Sequence, residues 1–312
     1  IYNDDIQKLE AEGAYNIIRG NYKEALPIYE KIIKLKPDEK TGWYMYGEAN
    51  YHIEKNDEES DKYWDAADKA FNKALDLDPN FGVARTHIIN MLLFAQNFSE
   101  VIKQEIEEIK RHPKNNKAYA NIILAYELLE DSSNATKYLN NAKSNFEPSK
   151  ICNMMIQIGS NLGLSINRLN YYNQNNYHLK RATYYMQNSH NFCSDDIFNS
   201  SFTGKLAIVM AYRAYDILYA EKLSNKITKD FSDSEKMEFM SSVSEANLWK
   251  NMYRQFPNES KKYRNKLSYY FSMKVLENSK KLNDTMYFSK ALRFLLITHP
   301  DDDTPEKVES FY

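Results

Sequence analysis

Apolar side chains return every third or fourth residue over most of the chain, the spacing that lays a stripe along one side of an α-helix. Ala25, Leu26, Tyr29, Ile32 and Ile33 make one such stripe; Leu9, Gly13 and Ile17 make a shorter one before it, and Gly20-Asn21 breaks the two apart. Pro37, Pro79, Pro113 and Pro148 close later stripes. Proline lacks the N–H that a helix interior needs, so each of them marks a helix end and a turn. Further on, the pattern predicts helices over 151–164, 204–231, 234–256, 260–282 and 285–298. The second of these is apolar nearly all round, as a buried helix is. Leu169 to Gln187 is dense in tyrosine and asparagine, with Tyr171, Tyr172, Tyr177, Tyr184 and Tyr185. Asn188 to Thr203 reads as a polar loop and Asp301 to Tyr312 as an acidic tail.

The prolines keep a period. Pro113 lies 34 residues after Pro79 and Pro148 lies 35 after Pro113. Pro37 to Pro79 is 42 residues, so 8 extra residues fall around Glu54 to Lys62, a polar and acidic stretch that reads as a solvated lengthening of a helical hairpin. Counting back from Pro37 opens a unit near Ile6, with Leu9, Gly13, Tyr22, Ala25, Tyr29 and Ile32 at places 4, 8, 17, 20, 24 and 27. Trp64, Ala67, Phe71 and Ala74 take the last four of those places before Pro79, and Ala135, Leu139 and Ala142 precede Pro148. The third unit, Gly82 to Asn115, fits worst: Ile89, Val101, Glu105 and Glu108 stand where small or aromatic residues are usual. Either its second helix is out of frame by one residue, or its interface is looser.

This order of aromatic, small and proline residues at a period of 34 resembles the tetratricopeptide repeat family over residues 6–148. The resemblance implies an all-α fold, a right-handed superhelical solenoid of antiparallel helix pairs. Four repeats would fill residues 1–148, and 149–312 would add helical hairpins that continue or cap the stack.

Composition narrows the partners. The 312 residues carry a net charge of −2, which excludes a general nucleic-acid binder, and only 8 glycines, which suits helices. Charge is uneven: residues 1–79 hold 18 acidic and 11 basic side chains, and residues 249–283 hold 9 basic and 2 acidic. The basic stretch, with Lys250, Arg254, Lys261, Lys262, Arg264, Lys266, Lys274, Lys280 and Lys281, reads first as a solvated helix face and second as a site for an anionic partner. No window approaches 18 consecutive apolar residues, so no segment is expected to span a membrane. Cys152 and Cys193, 41 residues apart, are expected as buried free thiols, because a disulfide would need an oxidising compartment. The expected location is cytoplasmic, with a periplasmic or membrane-anchored protein after N-terminal processing as the alternative.

No catalytic chemistry is evident. The six histidines show no metal-binding spacing, and neither a nucleophile elbow nor a phosphate loop occurs. The expectation is a non-enzyme without cofactor or metal. In the family that the chain resembles, the first helix of each repeat lines a concave groove at about places 2, 5, 9 and 12. Those places make Tyr44, Glu48, Tyr51, Thr86, Asn90, Leu93, Lys117 and Glu127 the candidate partner-binding residues. The carboxylate clamp of chaperone-binding members does not transfer, since Glu10, Ala14, Met45, Val83 and His87 hold its places. The implied role is a scaffold that binds a peptide or helix of a protein partner. The alternatives are a sensor for a small peptide or glycan built on the tyrosine-rich C-terminal half, and the helical part of a larger protein.

Overall fold

The computed structural model describes residues 3–53, 60–164, 176–193, 197–214, 217–253 and 258–298, and all regular structure among them is helical. In order these are α1 (Asn3–Ile18), α2 (Tyr22–Leu35), α3 (Lys40–His52), α4 (Ser60–Leu77), α5 (Gly82–Phe94), α6 (Phe98–Arg111), α7 (Asn116–Leu128), α8 (Ser132–Asn145), α9 (Pro148–Leu164), α10 (Asn176–Phe192), α11 (Ile197–Ala214), α12 (Ile217–Ile227), α13 (Asp233–Tyr253), α14 (Asn258–Leu282) and α15 (Thr285–Thr298). The first eight fall as the proline frame predicts, two per repeat. Most of the lengthened turn of the second repeat, residues 54–59, lies outside the described residues, as does the tail.

The chain divides into two compact units, 1–101 and 102–312. The division falls inside α6 rather than at Pro148, so α7 and α8 belong to the same unit as the C-terminal helices.

In the first unit the second helix of each repeat buries a face of small and large residues. Ala25, Tyr29 and Ile32 line it in α2, and Ala67, Phe71 and Ala74 in α4. The ring of each pair lies against a glycine of the preceding helix. A Cβ on Gly13 would stand 2.8 Å from the Tyr29 ring, and one on Gly47 would stand 2.6 Å from Phe71. Glycine is therefore required at place 8 in these two repeats by close packing, with no call on its backbone freedom.

The second unit resolves the irregular third repeat. Glu105 and Glu108 are buried, in the register that Leu139 and Ala142 hold one period later. The frame is kept, and the carboxylates are satisfied. Asn121 donates to Glu105 at 2.6 Å; Asn115 and Arg111 donate to Glu108 at 2.9 and 3.3 Å. The same Asn115 caps α7 by accepting from the Ala118 N–H. Beyond α8, α9 packs on α10, α10 on α11, and α13 on α14 and α15. Leu206, Ile208, Ala211, Leu223, Phe239, Leu267 and Phe271 belong to one buried cluster.

Two expectations are corrected. Cys152 and Cys193 are not free thiols: they form a disulfide that ties α9 to the residue following α10, with Cα atoms 5.4 Å apart. Residues 188–203 are not a polar loop, because α10 runs to Phe192 and α11 starts at Ile197. Some of the polar residues that suggested a loop bond within the helix instead: Asn188 donates to the Tyr184 carbonyl at 2.8 Å, and Ser189 is fully buried with its hydroxyl donating to the Met186 carbonyl at 2.8 Å. Of the helix expected over 204–231, the described residues up to Ala214 and from Ile217 to Ile227 are helical, as the end of α11 and as α12.

Candidate interaction surface

Three of the candidate groove residues, Tyr44, Glu48 and Tyr51, lie on α3, and three, Thr86, Asn90 and Leu93, on α5. The two helices meet through Glu48 and His87. His87 Nε2 approaches Glu48 Oε1 to 2.5 Å, an ion-pair contact off hydrogen-bond alignment, and His52 Nε2 lies 3.3 Å from Glu48 Oε2. The Tyr44 hydroxyl is 3.5 Å from the same His87 nitrogen. Aromatic rings wall in the group: His87 stacks on Phe71 with centroids 4.7 Å apart and meets Tyr51 edge-on at 5.0 Å. Tyr22 stacks on His52 from the outer side at 5.3 Å.

The electrostatics follow from this crowding. Burial pushes the Glu48 carboxyl up, but the close polar contacts with His87 and Tyr44 and the neighbouring His52 outweigh it, and the net result lies below the usual carboxylate range. Burial, then the Glu48 carboxylate, hold the Tyr44 phenol well above its ordinary value. Glu48 is thus an ionised carboxylate at neutral pH inside an aromatic and imidazole frame.

Thr86 and Asn90 are exposed at the edge of this surface, the former with its hydroxyl bonded to the Gly82 carbonyl. Val83 and Phe94, also on α5, are large apolar side chains left about half exposed, and Phe94 leans on Trp64 with centroids 5.1 Å apart. Leu93 is buried. The histidines were missed as site residues. The available signal was their place, since each is the residue immediately after a candidate groove position, Tyr51 or Thr86.

The remaining two candidates lie on α7, in the second unit. Lys117 is exposed. Glu127 is not a surface residue but has no exposed area at all. Arg181 of α10 grips it with Nη2 at 2.6 Å and Nε at 2.9 Å, and the hydroxyls of Tyr177 and Tyr185 donate to it at 2.8 and 2.6 Å. Arg181 in turn lies over the Tyr184 ring at 4.5 Å. The correction has a simple cause: α10 packs over this end of α7, and four donors replace the water a groove carboxylate would have had. Tyr177, Tyr184 and Tyr185, expected as a ligand platform, are engaged in this network; Tyr171 and Tyr172 lie outside the described residues. Among the described residues, no group of three or more His, Cys, Asp or Glu is placed to hold a metal ion, and no helix is long and apolar enough to cross a membrane.

No family model matches the chain, and no curated protein matches it. Among solved structures, the Naa15/Naa10 complex bound to HypK-THB is similar over 97 % of this chain and 59 % of that one, at 12 % identity and a TM-score of 0.35. The chain therefore spans 59 % of that neighbour's length, and a likeness this loose says nothing about role.

Proposed function

We propose that the chain is a non-catalytic, tetratricopeptide-like interaction scaffold, and that the α3/α5 surface of its first unit takes an extended peptide or a helix from a protein partner. The observation that supports this is the convergence of Tyr44, Glu48, Tyr51, His52 and His87 on one partly exposed surface, edged by Thr86 and Asn90. Rigid aromatic rings bury area at low entropy cost, and a fixed carboxylate with imidazole neighbours gives a peptide backbone both acceptor and donor groups. The rings are held in place from below, since Tyr44 and Tyr51 pack against the core cluster of Ala67, Phe71 and Ala74 and His87 stacks on Phe71.

The test is amide hydrogen exchange on the full chain, alone and with a partner captured from its own cell extract. Slowed exchange in α3 and α5, abolished by Tyr51→Ala with Asn90→Ala, is the expected result. Protection confined to α7–α15 would sink the proposal. The disulfide supports a second statement: the protein works where thiols are oxidised, outside a reducing cytosol. Alkylation of the protein taken directly from its cells, followed by intact-mass measurement, tests it; two alkylated cysteines before reduction would refute it.

A further inference from the structure

Beyond the α3/α5 surface, the second unit contains a cleft of about 460 Å³ between α12, α13 and α14, the size range of small-molecule sites. Its floor includes Phe271 and Ser224, both buried, and Met240 and Tyr270 line its side. One wall is internally settled: Lys274 pairs with Glu221 at 3.1 Å, and the Tyr270 hydroxyl donates to the other oxygen of that carboxylate. That trio fixes the ring and the helix spacing, and leaves no charge over for a ligand.

The rest of the lining is unspent. Lys236 on α13 and Asn278 on α14 are half-buried, and neither has a hydrogen bond or ion pair among the described residues. A second lysine, Lys281, stands exposed on the same cleft. The acids that line the cleft, Asp233 and Glu277, are exposed to water, and neither forms an ion pair with Lys236 or Lys281. The half-buried groups without partners are therefore hydrogen-bond donors, and a half-buried ammonium is the most costly of them to leave alone.

We propose that this cleft binds a small molecule through an oxyanion, a carboxylate or a phosphate, which Lys236, Asn278 and the Ser224 hydroxyl hold while Lys281 draws it in. The apolar body of such a ligand rests on Met240 and Tyr270. The site accounts for part of the basic stretch in α14 without invoking nucleic acid or a membrane, since Lys274 and Lys281 line this cleft.

The experiment is titration of the 312-residue chain, at constant ionic strength, with inorganic phosphate and separately with succinate. Heat is followed by calorimetry and the Met240 methyl resonance by NMR, assigned through Met240→Leu. Saturable binding of one probe that shifts the Met240 methyl is expected, and the probe that binds tells phosphate from carboxylate. Lys236→Gln should weaken it roughly tenfold or more, as loss of a charged hydrogen bond does. Asn278→Ala should weaken it less, and Lys226→Gln, on the exposed face of α12, should leave it unchanged. Failure of both probes to shift Met240 in the unaltered protein would overturn the proposal. So would binding that survives Lys236→Gln and Asn278→Ala in variants whose melting is unaltered. Because the Met240 readout needs no variant of a cleft lysine, a poorly folding Lys236→Gln does not rescue the idea.

Discussion

Glu127 and Glu48 show how the same residue type takes opposite roles in one chain. Glu127 is wholly buried, and its charge is matched by the Arg181 guanidinium and two phenols. Removing one partner of such a pair is far worse than never having it, because the other charge stays behind in a poor solvent. Glu127→Ala is therefore expected to cost about 3–5 kcal/mol in urea unfolding, with most of that penalty coming from the stranded Arg181. The double variant Glu127→Leu with Arg181→Met should recover much of the loss; a single variant within 1 kcal/mol of the parent, a bound set by ordinary surface changes of about 0.5 kcal/mol, would show the network to be idle. Glu48 is only partly exposed and has its carboxyl held below the usual range against the opposing effect of burial. A carboxyl depressed in the folded state adds stability above its unfolded value and loses it as pH falls through the folded one. The α3/α5 contact should thus be intact at neutral pH and weaken below about pH 4, near the free carboxylate value. Glu48→Gln should flatten that part of the acid-unfolding curve; a variant with an unchanged curve would count against the assignment.

At the scale of the helix, the repeats share a turn that only one of them makes with the expected residue. Gly20, Gln96 and Glu130 occupy the same place in repeats one, three and four, and all three have positive φ, at 76°, 57° and 59°. Glycine enters that region without penalty, while a side chain costs about 1 kcal/mol. Glu130→Gly is expected to stabilise by up to about 1 kcal/mol, and Gly20→Ala to destabilise by a similar amount, both read as shifts in the urea midpoint. A destabilising Glu130→Gly, or a Gly20→Ala without loss, would mean the turn is set by tertiary contacts instead. The turn also shows what was legible in advance. Gly20-Asn21 announced itself as a break, and the four prolines placed the helix ends of the first half, because both act through local sterics that need no tertiary knowledge. The third repeat was harder, since Glu105 and Glu108 look like surface residues until Asn121 and Asn115 are seen beside them. The C-terminal half hid its interfaces in serine. Ser244 and Ser268 are buried where α13 meets α14, and each hydroxyl lies within 3.3 Å of the other's carbonyl. A hydroxyl that satisfies itself on a backbone carbonyl is small and apolar in effect, yet it reads as polar along the chain. The site was half legible for the same reason: places 5, 9 and 12 found Tyr44, Glu48 and Tyr51, but nothing local predicted that α10 would bury Glu127.

At the scale of the molecule the two units are held by different means. The first, 1–101, rests on glycine–aromatic packing and carries no cysteine. In the second, the disulfide closes a span of 41 residues around α9 and α10, and both sulfur-bearing residues are buried among helices. Loop entropy alone assigns such a link about 4 kcal/mol, through restriction of the unfolded chain. Reduction is therefore expected to act on one unit. With dithiothreitol present, or in the Cys152→Ser, Cys193→Ser protein, amide exchange in α9 and α10 should quicken, while α1–α5 should keep their protection. The Glu127–Arg181 network sits on the same helix α10 and should loosen together with it, so that Glu127→Ala costs less in the reduced protein than in the oxidised one. Strict additivity of the two changes would separate the covalent tie from the buried charge pair. Equal quickening in α1–α5 would mean that the units share one cooperative transition, and that the disulfide stabilises the interaction surface as well as the unit that contains it.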